Sequence, residues 1–253
     1  MKKFLSLLSF MLTLYFFAQT PKDSSIKMHL VCAHFSGQIP GGDLNNRFGE
    51  NLGAGISYFF KTEKNYIFGI DPHYFYGNKI KEDVLAPLKT AEGTITNTDG
   101  NFGEIRLNER GLVACLTGGK ILPKIFGKKI SPNPNSGLIV MAGSGYMLHY
   151  INILNEERNV PQVSGDYKKG YDRLTGGLCF KEFLGYIYLS NNRLFNFYCG
   201  FEFYQGFTRS MRSYDYDLMK SDNNLRIDLL SSFRIGWTLP IYKRKESDNL
   251  FTY

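Results

Sequence analysis

Between Phe195 and Thr208 the chain alternates with period two. Phe195, Phe197, Cys199, Phe201, Phe203 and Phe207 fall on one side, and Asn196, Tyr198, Gly200, Glu202, Tyr204 and Gly206 on the other. That period puts the two sets on opposite faces of an extended strand, whereas a helix would repeat its apolar positions every three to four residues. Ile227–Ile241 repeats the pattern, with Leu229, Phe233, Ile235, Trp237, Leu239 and Ile241 opposed to Asp228, Ser232, Arg234, Gly236 and Thr238. Leu52–Phe60 and Tyr66–Tyr76 follow it less strictly, with Gly53, Gly55, Ser57, Gly69, Asp71 and His73 on the side without large apolar groups. The 26 glycines, 21 phenylalanines and 17 tyrosines of the 253 residues favour packed strands over a helical bundle.

Eight such segments are predicted: Ile26–Phe35, Leu52–Phe60, Tyr66–Tyr76, Gly111–Ile121, Leu138–Ile151, Leu178–Ser190, Phe195–Thr208 and Ile227–Ile241. An even number closes an antiparallel barrel with both termini on one side. Short turns, Lys61–Asn65 and Asn191–Leu194, join strands two to three and six to seven, and long polar segments make most other connections. Only Leu122–Gly137, with Pro132, Asn133, Pro134 and Asn135, is long where a short turn is expected. Short turns at one end and long loops at the other is the asymmetry of outer-membrane barrels, whose long loops are extracellular.

A lipocalin-like barrel or a β-sandwich would also alternate, but with the apolar face inward and Lys, Glu and Ser outward. Here the opposite face is largely Gly, Ser and Thr with a few charges, which suits a narrow, filled interior. The fold expected is therefore all-β, an up-and-down antiparallel transmembrane β-barrel of about eight strands over residues 26–242, in the cell outer membrane. Tyr58, Phe60, Tyr66, Tyr186 and Tyr188 would form its interfacial belt.

Residues 1–18 read as a signal peptide: Lys2 and Lys3, an apolar run from Phe4 to Phe17, then Ala18. Residues 19–25 would be a periplasmic stub and 243–253 a periplasmic tail. No other apolar run approaches the roughly 20 residues of a membrane helix. Cys32, Cys115, Cys179 and Cys199 each fall within a separate predicted strand, so free thiols, buried or lipid-facing, are expected. The formal charge of +7 is dispersed and gives no reason to expect nucleic acid as a partner.

Glu202 and Arg234 face inward, and a loop symmetric about Leu218 would set them directly opposite. A turn at Asn192-Arg193 sets Lys181 opposite Tyr204, which brings Lys181, Glu202 and Arg234 into one structural interior cluster. The same register turns Glu182 toward lipid, unless a bulge near Lys181 intervenes. Asp71 and His73 flank Pro72, which is expected to mark a bulge. With His149, they are the residues an enzymatic reading would use, as a general base oriented by a carboxylate. No nucleophile motif accompanies them and the four histidines lack ligand spacing, so no catalytic residue, cofactor or metal is expected. Asp215-x-Asp217 lacks the glycine and terminal glutamate of a calcium loop. In the long loops, Tyr167, Lys169, Tyr171, Arg173, Arg212, Tyr214 and Tyr216 are candidate partner contacts, because tyrosine and arginine are enriched where proteins meet.

The leader ending Phe16-Phe17-Ala18-Gln19, the barrel pattern, and the segments Lys169–Leu174 and Gly200–Thr208 resemble a family of small outer-membrane barrels of Bacteroidota-type bacteria. Most of the chain past the leader takes part. Such barrels are similar to accessory subunits of envelope machines, including the type 9 secretion apparatus and the barrel-assembly machine. The resemblance implies a non-enzymatic scaffold with outer-membrane lipid and other envelope proteins as partners, and it carries over no catalytic residue. Gly236–Tyr242 resembles the alternating aromatic signal read during barrel insertion, though Lys243–Tyr253 follows it. A lipid-modifying barrel enzyme and a narrow passive pore are the competing readings.

Overall fold

All eight predicted segments are strands in a computed structural model that describes residues 25–131, 133–155, 159–190 and 194–241. The expected signal peptide (1–18), most of the stub, the Asn191–Arg193 turn and the tail (243–253) lie outside the described residues. The strands are β1 (Met28–Gly41), β2 (Asn51–Lys61), β3 (Tyr66–Gly77), β4 (Ile105–Leu122), β5 (Gly137–Asn155), β6 (Thr175–Leu189), β7 (Asn196–Ser210) and β8 (Arg226–Ile241). Each pairs antiparallel with its chain neighbours, and β8 pairs with β1 to close the barrel. No helix among the described residues is long and apolar enough to cross a membrane. The one α-helix among the described residues, α1 (Gly42–Arg47), is a six-residue turn leaving β1.

Two strands run well past their expected ends. The alternation of β1 continues beyond Phe35 with Gln38 buried inward and Ile39 exposed outward, and β4 begins six residues before Gly111. Polar outward residues such as Arg106 do not look like barrel wall in the sequence. They sit where β4 and β5 rise together beyond the apolar band, paired as far as Ile105↔Asn155.

The outer face carries the large apolar side chains: Phe35 is 72% exposed, Leu116 71% and Phe201 69%. Tyr58, Phe60, Tyr66, Tyr186 and Tyr188 all point outward at the turn end, as expected. Lysines sit on this girdle, with Lys27 Nζ 5.3 Å from the centroid of the Phe60 ring and Lys120 Nζ 4.7 Å from that of Tyr66. Tyr74, Tyr76 and Tyr146 form a second girdle toward the loop end. A closed sheet leaves no unpaired edge, and an apolar band between two aromatic girdles matches a bilayer rather than water. The chain is an outer-membrane β-barrel.

The interior is filled in three layers. Leu30, Phe59, Ile67, Ile139, Phe183 and Ile187 pack the turn end. Phe48, Phe75, Val113, Met147 and Ile151 pack the loop end. Between them lies a band of buried charge. Glycine is required where a ring lies against the wall: a Cβ on Gly53 would come within 2.2 Å of the His73 imidazole.

Two expectations need correction, the bulge at Pro72 and the pairing of Glu202 with Arg234, and two others are filled in. Pro72 marks no bulge: β2–β3 pairing lapses between Tyr58↔Ile70 and Ala54↔Tyr74, but over equal numbers of residues on both strands. Proline removes a donor here without inserting a residue. Near Lys181 the β6–β7 register is also unbroken, so Glu182 faces lipid, where Gln205 Nε2 donates to it at 3.3 Å. Glu202 does not face Arg234. It pairs with Ser232, and Arg234 pairs with Gly200, because the β7–β8 connection is symmetric about Asp217 and not Leu218. Finally, the link after β4 is in large part a plug. After a small hairpin, Lys124–Ile125 with Lys128–Lys129, the chain folds back under the turn end. There Asn135 Oδ1 accepts from Lys61 Nζ at 2.9 Å, and Asn133 Nδ2 donates to Leu189 O at 2.8 Å.

Candidate functional site

Inward positions on β3, β6, β7 and β8 converge at mid-barrel on four charges. Lys181 Nζ lies 3.0 Å from Glu202 Oε2, and Arg234 Nη2 lies 2.8 Å from the same oxygen. The predicted trio is thus brought together, with Lys181 opposite Tyr204 as expected. A fourth member, Asp71, bonds Lys181 and receives Arg234 Nη1 on Oδ2 at 2.8 Å. Two carboxylates and two cations balance, and all four side chains are fully buried. Tyr204 braces the group, its hydroxyl accepting from Arg234 Nη2 at 3.1 Å and its ring lying beneath Lys181. Ser232 Oγ donates to Glu202 Oε1 at 2.9 Å. A balanced, hydrogen-bonded cluster is what allows charges to persist away from water.

Asp71 is not the orienting partner of His73. Gln38 Nε2 lies 2.7 Å from His73 Nε2, His73 Nδ1 lies 3.3 Å from His34 Nε2, and His34 Nδ1 lies 3.3 Å from Ser57 Oγ. Ser57 in turn donates to Asp71. One direction of donation satisfies every step: Gln38 to His73, His73 to His34, His34 to Ser57, Ser57 to Asp71. Both imidazoles are then neutral with the proton on Nδ1. The Ser57 hydroxyl is spent on a carboxylate, so no base activates it as a nucleophile. His149 lies elsewhere, its Nε2 2.8 Å from Asp228 Oδ2, which also accepts from Thr208 Oγ1 at 2.5 Å. The imidazoles of His73 and His149 have no exposed surface. Sequence reasoning missed His34, Gln38 and Ser57 as members of this network. Inward parity flags Ser57 but does not say which inward residues meet across the barrel.

At the loop end a second charge network ties the loops to one another. Arg173, only 2% exposed and held at φ 52°, places Nη2 3.0 Å from Glu82 Oε1 and 2.5 Å from Asp217 Oδ2, and Nη1 2.8 Å from Asp215 Oδ2. Arg47 of α1 reaches Glu82 Oε2 at 3.2 Å and donates to Thr175 Oγ1 at 2.8 Å. Arg212 grips Asp172 with one edge of its guanidinium, Nε donating to Oδ1 at 2.9 Å and Nη2 to Oδ2 at 2.5 Å, and these bonds hold Arg212 above its ordinary pKa. Burial pushes the Asp217 carboxyl up, with Arg173 opposing. A non-glycine residue at positive φ whose side chain meets three carboxylates is strain retained for a purpose, here to lock four loops into one cap.

This changes the set of surface candidates. Arg173 and Tyr171 are buried inside the cap, Tyr171 with its ring edge-on to Tyr216, and Arg212 is half-buried against Asp172. Loop packing has no period, so nothing in the sequence marks them as internal. Tyr167, Lys169, Tyr214 and Tyr216 remain exposed, and Leu218 and Met219 join them, with Met219 75% exposed. All four cysteines are free, with Cys32, Cys115 and Cys179 buried and Cys199 on the outer face. Cys115 Sγ and Cys179 Sγ lie 3.6 Å apart across Gly145. Their backbones are two strand spacings apart, about 9 to 10 Å, beyond the roughly 7 Å a disulfide spans.

No protein-family model matches the chain, and no curated protein sequence does. Among solved structures it is similar to Neisserial surface protein A, at 9% identity over 83% of this chain and 96% of that one, with a TM-score of 0.44. It is also similar to Ail, the attachment invasion locus protein of Yersinia pestis, at 10% identity over 85% and 99%, TM-score 0.37. A third is the outer membrane protein OprG of Pseudomonas aeruginosa, at 8% identity over 85% and 97%, TM-score 0.35. Likeness at this level assigns neither an activity nor a partner, and the membrane assignment rests on the polarity of the barrel itself.

Proposed function

We propose that this chain is a non-enzymatic accessory or scaffold barrel of an envelope protein-secretion or barrel-assembly complex, as its resemblance to Bacteroidota-type barrels implies. The turn end faces the periplasm and the capped loops face outward, following the usual asymmetry of such barrels. The observation that carries the reading is the combination of a filled interior with a rigid, apolar-tipped cap. Asp71, His73 and His149, the groups a lipid-modifying enzyme would use, are enclosed, and the mid-barrel charges neutralise one another where a pore would need water. The exposed Tyr167, Tyr214, Tyr216, Leu218 and Met219 sit on loops whose backbones are already fixed by ion pairs. A preorganised aromatic surface binds without a large ordering cost.

Affinity purification from native membranes tests this. A stoichiometric envelope protein should accompany the barrel, and Tyr214→Ala with Met219→Ala should reduce its recovery at least tenfold, the effect of losing one or two hot-spot contacts. Recovery of the barrel alone under gentle extraction would contradict it.

A further inference from the structure

The hairpin that follows β4 combines three locally unfavourable features. Lys124 and Lys129 are directly paired across its two strands, with Lys128 beside them. Like charges placed opposite one another destabilise a strand pair. Leu122–Gly137 contains no acidic residue, and these lysines take part in none of the ion pairs among the described residues. At the tip, Phe126 adopts φ 48° before Gly127 at φ 77°, a left-handed backbone that a bulky residue rarely takes, and its side chain is 100% exposed. Ile130, at the base of the hairpin where its N–H donates to Pro123 O, is exposed as well. Local rules broken together with no partner inside the fold point to a partner outside it.

The position of the hairpin identifies that partner. Lys120, which lies over Tyr66 in the turn-end girdle, precedes Lys124 by four residues, so the hairpin starts within about 14 Å of chain from the membrane interface. Lys27, Lys64 and Lys120 are exposed at the same end, and Glu63 is the one exposed acid among the described residues there. We propose that this hairpin docks on anionic phospholipid headgroups of the leaflet at the turn end, with Lys124, Lys128 and Lys129 on the phosphates and Phe126 inserted among the acyl-chain ends. Lysine supplies unspecific charge for such a surface, and an aromatic tip supplies interfacial anchoring. The anion removes the repulsion between Lys124 and Lys129, and insertion gives the strained Phe126 a nonaqueous environment.

The test uses the full barrel in lipid discs of phosphatidylcholine with or without phosphatidylglycerol. In a Phe126→Trp, Trp237→Phe protein, the new tryptophan should be shielded from acrylamide only in anionic discs. The shielding should vanish in 1 M salt, and replacing the three lysines by serine should weaken the anionic preference about 100-fold. Amine labelling of the unsubstituted protein is the parallel readout: Lys124, Lys128 and Lys129 should be protected in anionic discs and reactive in zwitterionic ones. Equal quenching and labelling in both lipids would overturn the proposal. So would protection that appears only when soluble periplasmic protein is added, which would assign the hairpin to an acidic protein partner.

Discussion

Replacing Asp71 with alanine should lower the barrel's unfolding free energy by about 3 to 5 kcal/mol, the usual consequence of removing one member of a buried ion network. Asp71 is the group that both cations share, and Ser57 also donates to it, so its loss leaves Lys181 and Arg234 with Glu202 as their one carboxylate. The excess charge has no route to water, because apolar layers close the barrel above and below. Adding Lys181→Met restores the balance at one acid and one cation, and should recover part of the loss. Glu202→Ala and Arg234→Ala should behave in the same non-additive way, since Glu202 and Arg234 touch although they are one inward step out of register. Urea unfolding in lipid vesicles measures both cycles. Strict additivity in either would mean that the two side chains do not interact.

Arg173→Ala is expected to open the cap while leaving the barrel wall intact. The guanidinium joins Glu82 to Asp215 and Asp217, and Asp215 is 1% exposed, so the substitution strands carboxylates inside the loops. With about 3 kcal/mol at stake, amide exchange and proteolysis in residues 211–225 should speed up by roughly 100-fold, and the unfolding midpoint of the strands should not move. Arg173→Lys should not rescue the cap, because one ammonium cannot reproduce the planar fork that reaches three carboxylates. Unchanged protection in Arg173→Ala would show that the loops are held by something else.

The strands were legible because the membrane reverses the polarity of a barrel and so leaves one face almost purely apolar, as in β7 and β8. The interior was less so. Phe59, Phe75 and Phe183 point inward at the same parity as Ser57, His73 and Lys181, and period-two reasoning has no means of telling a filling side chain from a lipid-facing one when both are apolar. Lys181, Glu202 and Arg234 were recoverable as a group because they are inward residues on neighbouring strands. Asp71 was not, since its strand is not adjacent to theirs and reaches them across the lumen. The one-residue error in the centre of the β7–β8 connection shifts the pairing by two, which preserves the face and moves the partner from Arg234 to Ser232. At the loop end, Arg173 and Tyr171 look like surface residues in a polar stretch, and only the fold shows that ion pairs have drawn them inside.

The central claim is that the barrel is sealed: an ion cluster at mid-height between two apolar layers, closed by a salt-bridged cap at one end and by Asn133, Asn135 and Ser136 at the other. Planar-bilayer recording of the purified protein tests it most directly. The structure predicts a baseline without steady conductance in the native protein, and in Arg173→Ala as well, because opening the cap leaves the charged band and both apolar layers in place. Large, stable channels in the native protein would contradict the filled interior and replace the scaffold reading with that of a pore.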